Sequence, residues 1–285
     1  MGSTAGICKS SPMALDLSSL WDYGNPALSE QRFRDAVKTA STDDALIFQT
    51  QIARTYGIRK DFERARDVLA SIKDEVKNGS AQAQVRYLLE LGRTYASTTH
   101  PPEAQTPENK KMARSLFMRA FDAAENARLD DLAIDALHMM VTVDTEPVDQ
   151  LAWNLKALAY MEASSQPLAK KWEASLRNNV GYAQHLLGQY DEALVNFKLS
   201  LAAHERLGSV RSVRIAHWMI AWTLRAQGKF QEAIDIQLRL EREWGQAGDP
   251  DPYVFDELEH LYRATNDTVQ ADLYAMKLRI SKLQQ

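Results

Sequence analysis

The 285-residue chain contains one cysteine, Cys8, and has no histidine and cysteine cluster with the spacing of a metal site. A single cysteine forms no internal disulfide, so a secreted disulfide framework and a cysteine-based zinc site are excluded. The sequence also lacks a signal-peptide run at its start and an apolar run long enough to span a membrane. We therefore expect a cytoplasmic protein that does not act in a membrane.

Basic tracts are absent as well, and the formal net charge is -4. A nucleic acid or an anionic membrane surface would favour a strongly basic face, so neither is an expected partner. Glycine and proline are few (12 and 9 residues), and hydrophobic residues make up 45% of the chain. This composition is typical of a folded, helix-rich protein.

Motifs of common catalytic and cofactor sites are missing too. The sequence has no glycine-rich phosphate loop, no G-x-S-x-G elbow and no H-E-x-x-H pair. We therefore predict no catalytic residue, no metal ligand and no cofactor. The six histidines are scattered, and each is interpreted first as a surface or core residue: His100, His138, His185, His204, His217 and His260.

The stretch 174–208 has the pattern of two antiparallel helices joined by a tight turn. Gly181 and Ala193 are small enough for the two helices to approach closely, and Phe197 fills the space beside them. Gly188 lies between the helices, where a left-handed residue ends the first helix without a steric penalty. The stretch is therefore predicted to be a helix–turn–helix unit.

This unit resembles the tetratricopeptide repeat, in a variety with a period near 40 residues that is similar to repeats of kinesin light chains and bacterial peptide sensors. Matching alanines at 152, 193, 233 and 271 are separated by 41, 40 and 38 residues. The resemblance implies an all-α fold, a right-handed α-solenoid of about six helix pairs with an N-terminal capping helix. We predict a flexible leader over 1–13 and one domain over 14–285, with units at about 43–78, 80–128, 130–165, 168–208, 209–247 and 250–285.

Three local features carry predictions of their own. A capping helix is expected over about 29–40, after Pro26. Asn78 and Gly79 are expected to close the first unit with a left-handed turn. The segment 97–109 is rich in proline and threonine and is expected to be an exposed, stiff loop.

In such a solenoid, the first helices of the pairs line the concave surface. Positions six and three residues before the small packing residue, and one and four after it, lie within a stripe of about 80°. Glu90 and His138 border this stripe. The candidate ligand-binding residues are Arg54, Arg86, Glu90, Arg93, His138, Asp144, Asn178, Tyr182, His185, Trp218, Trp222, Arg225, Asp256, His260 and Arg263.

The predicted groove combines arginines, an apolar middle and two tryptophans one helical turn apart. It suits an elongated ligand with an apolar or aromatic body and an anionic group. Structural interpretations stay open beside this one. Trp218 and Trp222 could pack between repeats, and Arg86 and Arg93 could pair with Glu90 and nearby acids.

The leading hypothesis is an interaction module that binds a peptide or protein segment, including one with acidic or carboxylate groups. A second hypothesis is a sensor of a small anionic ligand or signalling peptide. A third is an enzyme with Glu90, His138, Asp144 and His185 as acid and base groups near Arg93. The first two rest largely on the family resemblance.

Overall fold

The computed structural model describes residues 15–283, and within this range it contains helices and no strands. The all-α prediction is confirmed. The chain divides into two compact units, Met1–Val143 and Asp144–Gln285. We describe each unit by itself, and the single domain over 14–285 stays a prediction. The predicted flexible leader, with Cys8, lies outside the described residues.

The first unit consists of antiparallel helices that are connected by short turns, except for the longer segment between Arg93 and Pro107. A 3-10 turn, Pro102–Ala104, lies between its fifth and sixth helices, and another, Met140–Thr142, follows its last. Its helices are α1 (Pro26–Val37), α2 (Thr42–Ile58), α3 (Phe62–Ser71), α4 (Lys73–Val76), α5 (Ala81–Arg93), α6 (Pro107–Asn126) and α7 (Asp130–Met139).

The second unit has the same construction with more regular helix lengths. Its last six long helices form three successive pairs of the predicted kind, which span 173–206, 210–246 and 252–283. Its helices are α8 (Pro147–Ala163), α9 (Pro167–Lys170), α10 (Glu173–Leu186), α11 (Tyr190–Arg206), α12 (Val210–Ala226), α13 (Phe230–Gln246), α14 (Pro252–Ala264) and α15 (Thr268–Leu283).

The capping helix begins earlier than predicted. The side chain of Asn25 accepts a hydrogen bond from the Leu28 N–H, and Pro26 occupies the first turn, where its missing N–H costs nothing. Ser29, the predicted start, is buried instead, and its hydroxyl accepts a hydrogen bond from the Asp22 N–H at 2.7 Å. The helix therefore spans Pro26–Val37 rather than 29–40.

The turns within the pairs follow the glycine pattern. Gly188 has φ 75° and Gly228 has φ 73°, the left-handed conformation predicted for the end of the first helix. In the last pair Asn266 takes the equivalent position with φ 61°. Asparagine is the residue that tolerates this region best after glycine, so the repeat pattern survives the substitution.

The prediction of a left-handed turn at Asn78 and Gly79 is wrong, because neither residue has a positive φ. At Gly79 the constraint is limited space rather than backbone conformation. A Cβ there would lie 3.2 Å from a methyl carbon of Leu46 and 3.3 Å from a carboxylate oxygen of Asp43. That carboxylate oxygen accepts the N–H of Ser80 at 2.6 Å.

The segment 97–109 is exposed at Pro101, Pro102 and Pro107, as predicted, but it is buried at His100. His100 is 7% exposed and stacks on Phe62, with 3.8 Å between ring centroids. One ring nitrogen of His100 hydrogen-bonds the Thr94 carbonyl and the other the Ser97 hydroxyl. Burial lowers the pKa of His100, so the ring lies neutral in the fold and anchors the start of the loop.

A glycine beneath a phenylalanine ring sets the distance between paired helices in both units. A Cβ on Gly92 of α5 would lie 2.4 Å from the ring of Phe117 on α6. A Cβ on Gly181 of α10 would lie 2.9 Å from the ring of Phe197 on α11. Both phenylalanines are fully buried, so the rings have little room to move away.

We predict that Gly92→Ala lowers the free energy of unfolding by about 1–3 kcal/mol, because the added methyl overpacks the Phe117 ring. Urea unfolding of the full chain measures this. Gly245→Ala on α13 is the matched control, since nothing lies within 4 Å of its added Cβ, and we expect it to be neutral or stabilising. Equal effects of the two substitutions would contradict the close-approach account.

Candidate functional site

The candidate residues of the first unit form one charged cluster on α2, α5 and α7. Arg93 lies 2.5 Å from Glu90 and 2.5 Å from Asp135. Arg54 reaches the same two carboxylates at 3.5 and 4.0 Å. Glu90 and Asp135 are 3% and 7% exposed. The two arginines thus hold two buried acids.

The pKa values of Arg93 and Asp135 are shifted in the directions that keep both groups charged. Burial alone would lower the pKa of the Arg93 guanidinium, but Asp135 and Glu90 raise it above its ordinary value. Burial would raise the pKa of Asp135, but Arg93 and Arg54 hold it below the usual range. Both groups therefore stay charged near neutral pH, as the structural interpretation of Arg93 predicts.

Arg86 and His138 border this network. Burial lowers the pKa of His138, with Asp135 acting in the opposite direction, which favours the neutral ring. Arg86 is half-buried, and its Nε is enclosed without a hydrogen-bond partner. The five candidates Arg54, Arg86, Glu90, Arg93 and His138 are therefore brought together, around Asp135, which was not among the candidates.

In the second unit, His185 is locked in place by a hydrogen bond and a ring stack. Its Nδ1 lies 3.0 Å from the Thr223 hydroxyl, which itself donates to the Met219 carbonyl. Because that hydroxyl has one proton, Nδ1 must be the donor to Thr223. The ring stacks on Trp222 at 3.3 Å between centroids. Burial, with a smaller contribution from Arg225, lowers the pKa of His185 to about 4.

Four aromatic side chains follow one another across α10, α12 and α14, and we call them the aromatic row. Tyr182 stacks on Trp222 at 5.8 Å, Trp222 on Trp218 at 5.8 Å, and Trp218 meets Tyr253 edge-on at 6.5 Å. The indole N–H of Trp218 donates to the Tyr253 carbonyl at 3.1 Å. The two ends of the row, Tyr182 and Tyr253, are 43% and 69% exposed.

Trp218 and Trp222 pack within the fold, as one of the two interpretations of the sequence predicts. Trp218 and Trp222 are partly buried against the hydrophobic core around Leu224 and Leu261. They also belong to a continuous row with exposed ends. Packing fixes the two rings, while Tyr253 and Ile215 beside them stay open to solvent.

Arg225 is held by a buried carboxylate. Its Nε and Nη2 donate to the two oxygens of Glu257 at 2.6 and 3.1 Å, and Glu257 is 2% exposed. Burial raises the pKa of Glu257, while Arg225 acts to lower it. Arg225, which was predicted to bind an anionic ligand, therefore already makes a bidentate ion pair within the chain.

A cleft of about 790 Å³ opens beside the aromatic row. Its apolar part includes Ile215, Trp218, Met219 and Trp244. Its charged residues are Arg211, Asp249, Asp251, Asp256 and Lys282. Arg211 pairs with Asp249 at 3.5 Å and lies over the Trp244 ring. Its charge is therefore already engaged, and the apolar wall is the main surface that the cleft offers to a ligand.

The remaining candidates lie apart from these groups. Asp144 accepts a hydrogen bond from the Trp153 indole at 2.8 Å. His260 is exposed, 3.8 Å from Asp256, and Arg263 pairs with Glu259 at 2.9 Å. Asn178 is half-buried on α10. Among residues 15–283, no three histidine, cysteine or acidic side chains are arranged to hold a metal ion.

The sequence reasoning missed two acidic partners, Asp135 and Glu257. Glu257 lies at the same repeat position as the candidate Glu90. Glu90 and Glu257 both lie two residues before the position of the small packing residue, and each is bound by an arginine of the preceding first helix, Arg54 or Arg225. That position falls just outside the 80° stripe, so Glu257 was not selected. The arginines at the matching position of the preceding first helix, Arg54 and Arg225, were the signal in the sequence that could have indicated these acidic partners.

Comparison with known proteins agrees with this architecture. Residues 172–241 match the family model of the tetratricopeptide repeat. No curated protein sequence matches the chain. In the part of the chain that the structure describes, no helix is both long and apolar enough to cross a membrane.

Several solved structures share the fold. A signal transduction ATPase with numerous domains and a tetratricopeptide repeat sensor, from Pyrococcus horikoshii, has a TM-score of 0.67 and 12% identity; the match covers 92% of this chain and 40% of that one. The apo form of RapI has a TM-score of 0.68 and 12% identity over 93% of this chain and 74% of that one. Aspartyl phosphate phosphatase F from Bacillus subtilis has a TM-score of 0.61 and 14% identity over 93% and 68%.

The chain thus spans less than half of the length of the first of these proteins. At such identities the likeness shows the fold alone. The predicted resemblance to tetratricopeptide repeats and the solenoid fold class are confirmed. The candidate ligand-binding residues stay predictions.

The buried His185 generates a pH prediction. Its pKa in the fold, about 4, is below the unfolded value of about 6.5. As pH falls below 6.5, His185 becomes protonated in the unfolded chain but stays neutral in the folded chain. The free energy of unfolding therefore decreases until about pH 4, where the folded ring is protonated too. Between pH 7 and pH 5 we expect His185→Gln to lose about 1–2 kcal/mol less unfolding free energy than the wild type.

Urea unfolding of both proteins at the two pH values measures this difference. The other histidines are common to both and cancel. An identical pH dependence in the two proteins would mean that His185 is not held neutral.

Proposed function

We propose that the chain is a tetratricopeptide-repeat interaction module that binds a peptide or protein segment on the aromatic row and the adjoining cleft of the second unit. The observation that carries this proposal is the row itself, three stacked rings and the edge-on Tyr253 on three successive first helices, with exposed ends. Clefts with apolar, aromatic walls and a few polar groups are the usual form of binding sites.

The row suits bulky apolar or aromatic side chains of a partner. Trp218 and Trp222 are fixed by packing, so a ligand would order few side chains on binding. Tyr253 and Ile215 add exposed contact area, at 69% and 44% exposure, beside the cleft. Tryptophan and tyrosine are the residues that most often carry binding energy at interfaces.

We propose in addition that the partner carries an acidic or carboxylate group. In the second unit Arg225 is already bound by Glu257, so apolar contacts would dominate there. Arginine with spare hydrogen-bond donors lies in the first unit, at Arg86. A sensor of a small anionic ligand is therefore a second candidate, favoured by that residue.

The known structures support a binding role by analogy of fold. One similar structure is a Rap protein complexed with competence and sporulation factor, with a TM-score of 0.56 and 13% identity over 90% of this chain and 80% of that one. The repeats of the Pyrococcus horikoshii ATPase are described as a sensor.

We expect peptides selected from a random phage-displayed library against the full chain to be rich in aromatic and large aliphatic residues. Tyr253→Ala should weaken their binding by about tenfold or more, because an exposed anchor ring is removed. Tyr253 is a better target than Trp222, which also stacks on His185. Fluorescence anisotropy with a labelled peptide measures the Kd.

Val269→Ala is the matched control, since Val269 is 77% exposed on α15 and outside the residues that line the cleft. It should leave the Kd unchanged. Failure to select any binding peptide, or equal Kd values for wild type and Tyr253→Ala, would exclude the aromatic row as the docking surface.

A further inference from the structure

Arg86 on α5 differs from the other arginines of the first-unit cluster. Arg54 and Arg93 are paired with Glu90 and Asp135. Within residues 15–283, the Arg86 side chain makes no hydrogen bond and no ion pair, and its Nε is enclosed. The chain therefore encloses the Nε of this guanidinium without giving it a direct partner.

The surroundings make this charge costly. Burial lowers the pKa of Arg86 even though Asp131, Asp135 and Glu90 act in the opposite direction, and Arg54 adds repulsion. A buried charge without a hydrogen-bonded counter-charge destabilises a fold. Among the guanidinium nitrogens of Arg86 only Nε is enclosed, and the residue as a whole is half-buried, so the two terminal nitrogens are the atoms that a ligand would contact.

Asp131 on α7 is the other unsatisfied group beside it. Its Oδ1 is enclosed without a hydrogen-bond partner, and burial raises its pKa. The charges of Arg86 and Asp131 interact, yet no contact within ion-pair distance joins the two side chains in the described part of the chain. The two charges therefore lie near each other without a direct contact.

We propose that Arg86 is the anchor of a carboxylate-binding site in the first unit, which accepts a carboxylate of a small acid or of a peptide. The planar guanidinium fork matches a carboxylate with two parallel hydrogen bonds. Arg54, whose contacts to Glu90 and Asp135 are long at 3.5 and 4.0 Å, supplies a second positive charge. Asp131 is the nearby negative charge that limits affinity.

This site lies in the other unit from the aromatic row and does not depend on the peptide-binding proposal; it rests on the second candidate, the sensor of a small anionic ligand, and gives it an anchor residue and a ligand class. Its residues and its probe differ from those of the peptide experiment, so either proposal can fail alone.

The experiment uses thermal unfolding of the full chain with succinate as the probe. Succinamide, which lacks the charges, and sodium chloride of matched ionic strength are the controls. Succinate should raise the Tm of the wild type by about 2–4 °C. Arg86→Met should abolish this shift, and Asp131→Asn should increase it, because a like charge beside the bound carboxylate is removed.

Measurements without ligand separate this site from a structural ion pair. Arg86→Met should leave the Tm unchanged or raise it, because an unpaired buried charge is removed. Arg93→Met is the matched control and should lower the Tm, because it leaves Glu90 and Asp135 without their closest cation.

Two results would overturn the proposal. One is a succinate shift that is absent in the wild type or equal in Arg86→Met. The other is a loss of Tm in Arg86→Met as large as in Arg93→Met, which would make Arg86 a structural residue. NMR of the arginine Nε–H groups adds a direct readout, since succinate should move the resonance that disappears in Arg86→Met.

Discussion

A phenylalanine ring lies directly against a glycine of the preceding helix in each of the two units. Phe117 covers Gly92 and Phe197 covers Gly181, at distances that exclude even one added methyl group. This contact fixes how close the two helices of a pair approach and how the first helix is rotated about its axis. Every other side chain of that helix is then assigned to the core, to the neighbouring helix or to the solvent.

The rotation explains why buried carboxylates recur at one repeat position. Two residues before the glycine position, Glu90 and Glu257 point to the preceding first helix, where Arg54 and Arg225 meet them. Removing one member of such a pair leaves an unpaired buried charge, so the pairs tie successive repeats together. They also consume arginines that would otherwise be open to a ligand.

The two units use the same face of their first helices differently. In the first unit the face is charged, with three arginines and three acids (Glu90, Asp131 and Asp135) around one network. In the second unit the face carries the aromatic row, with the Arg225–Glu257 pair beside it. We infer that the first unit suits a charged group and the second an apolar one.

The repeat pattern in the sequence was enough to predict the helices, the glycine turn at Gly188 and the position of Trp218 and Trp222 one helical turn apart, but not the contact of Trp218 with Tyr253. These depend on local spacing and on small residues that only one arrangement explains. Charge pairing was harder to predict, because whether Arg225 meets a ligand or Glu257 depends on a residue 32 positions away.

Misleading local signals account for the errors. Asn78 and Gly79 have the composition of a left-handed turn, yet at Gly79 the constraint is the limited space beside Leu46 and Asp43. The segment 97–109 has the composition of an exposed loop, yet His100 is buried against Phe62. In both places tertiary packing overrides the local preference.

Hydrogen–deuterium exchange of the full chain, with and without a selected peptide, tests the central claim that the first helices of the second unit form the docking surface. Binding should slow exchange in Val210–Ala226 and Pro252–Ala264 more than in the second helices Tyr190–Arg206 and Thr268–Leu283. Protection confined to those second helices would contradict the account.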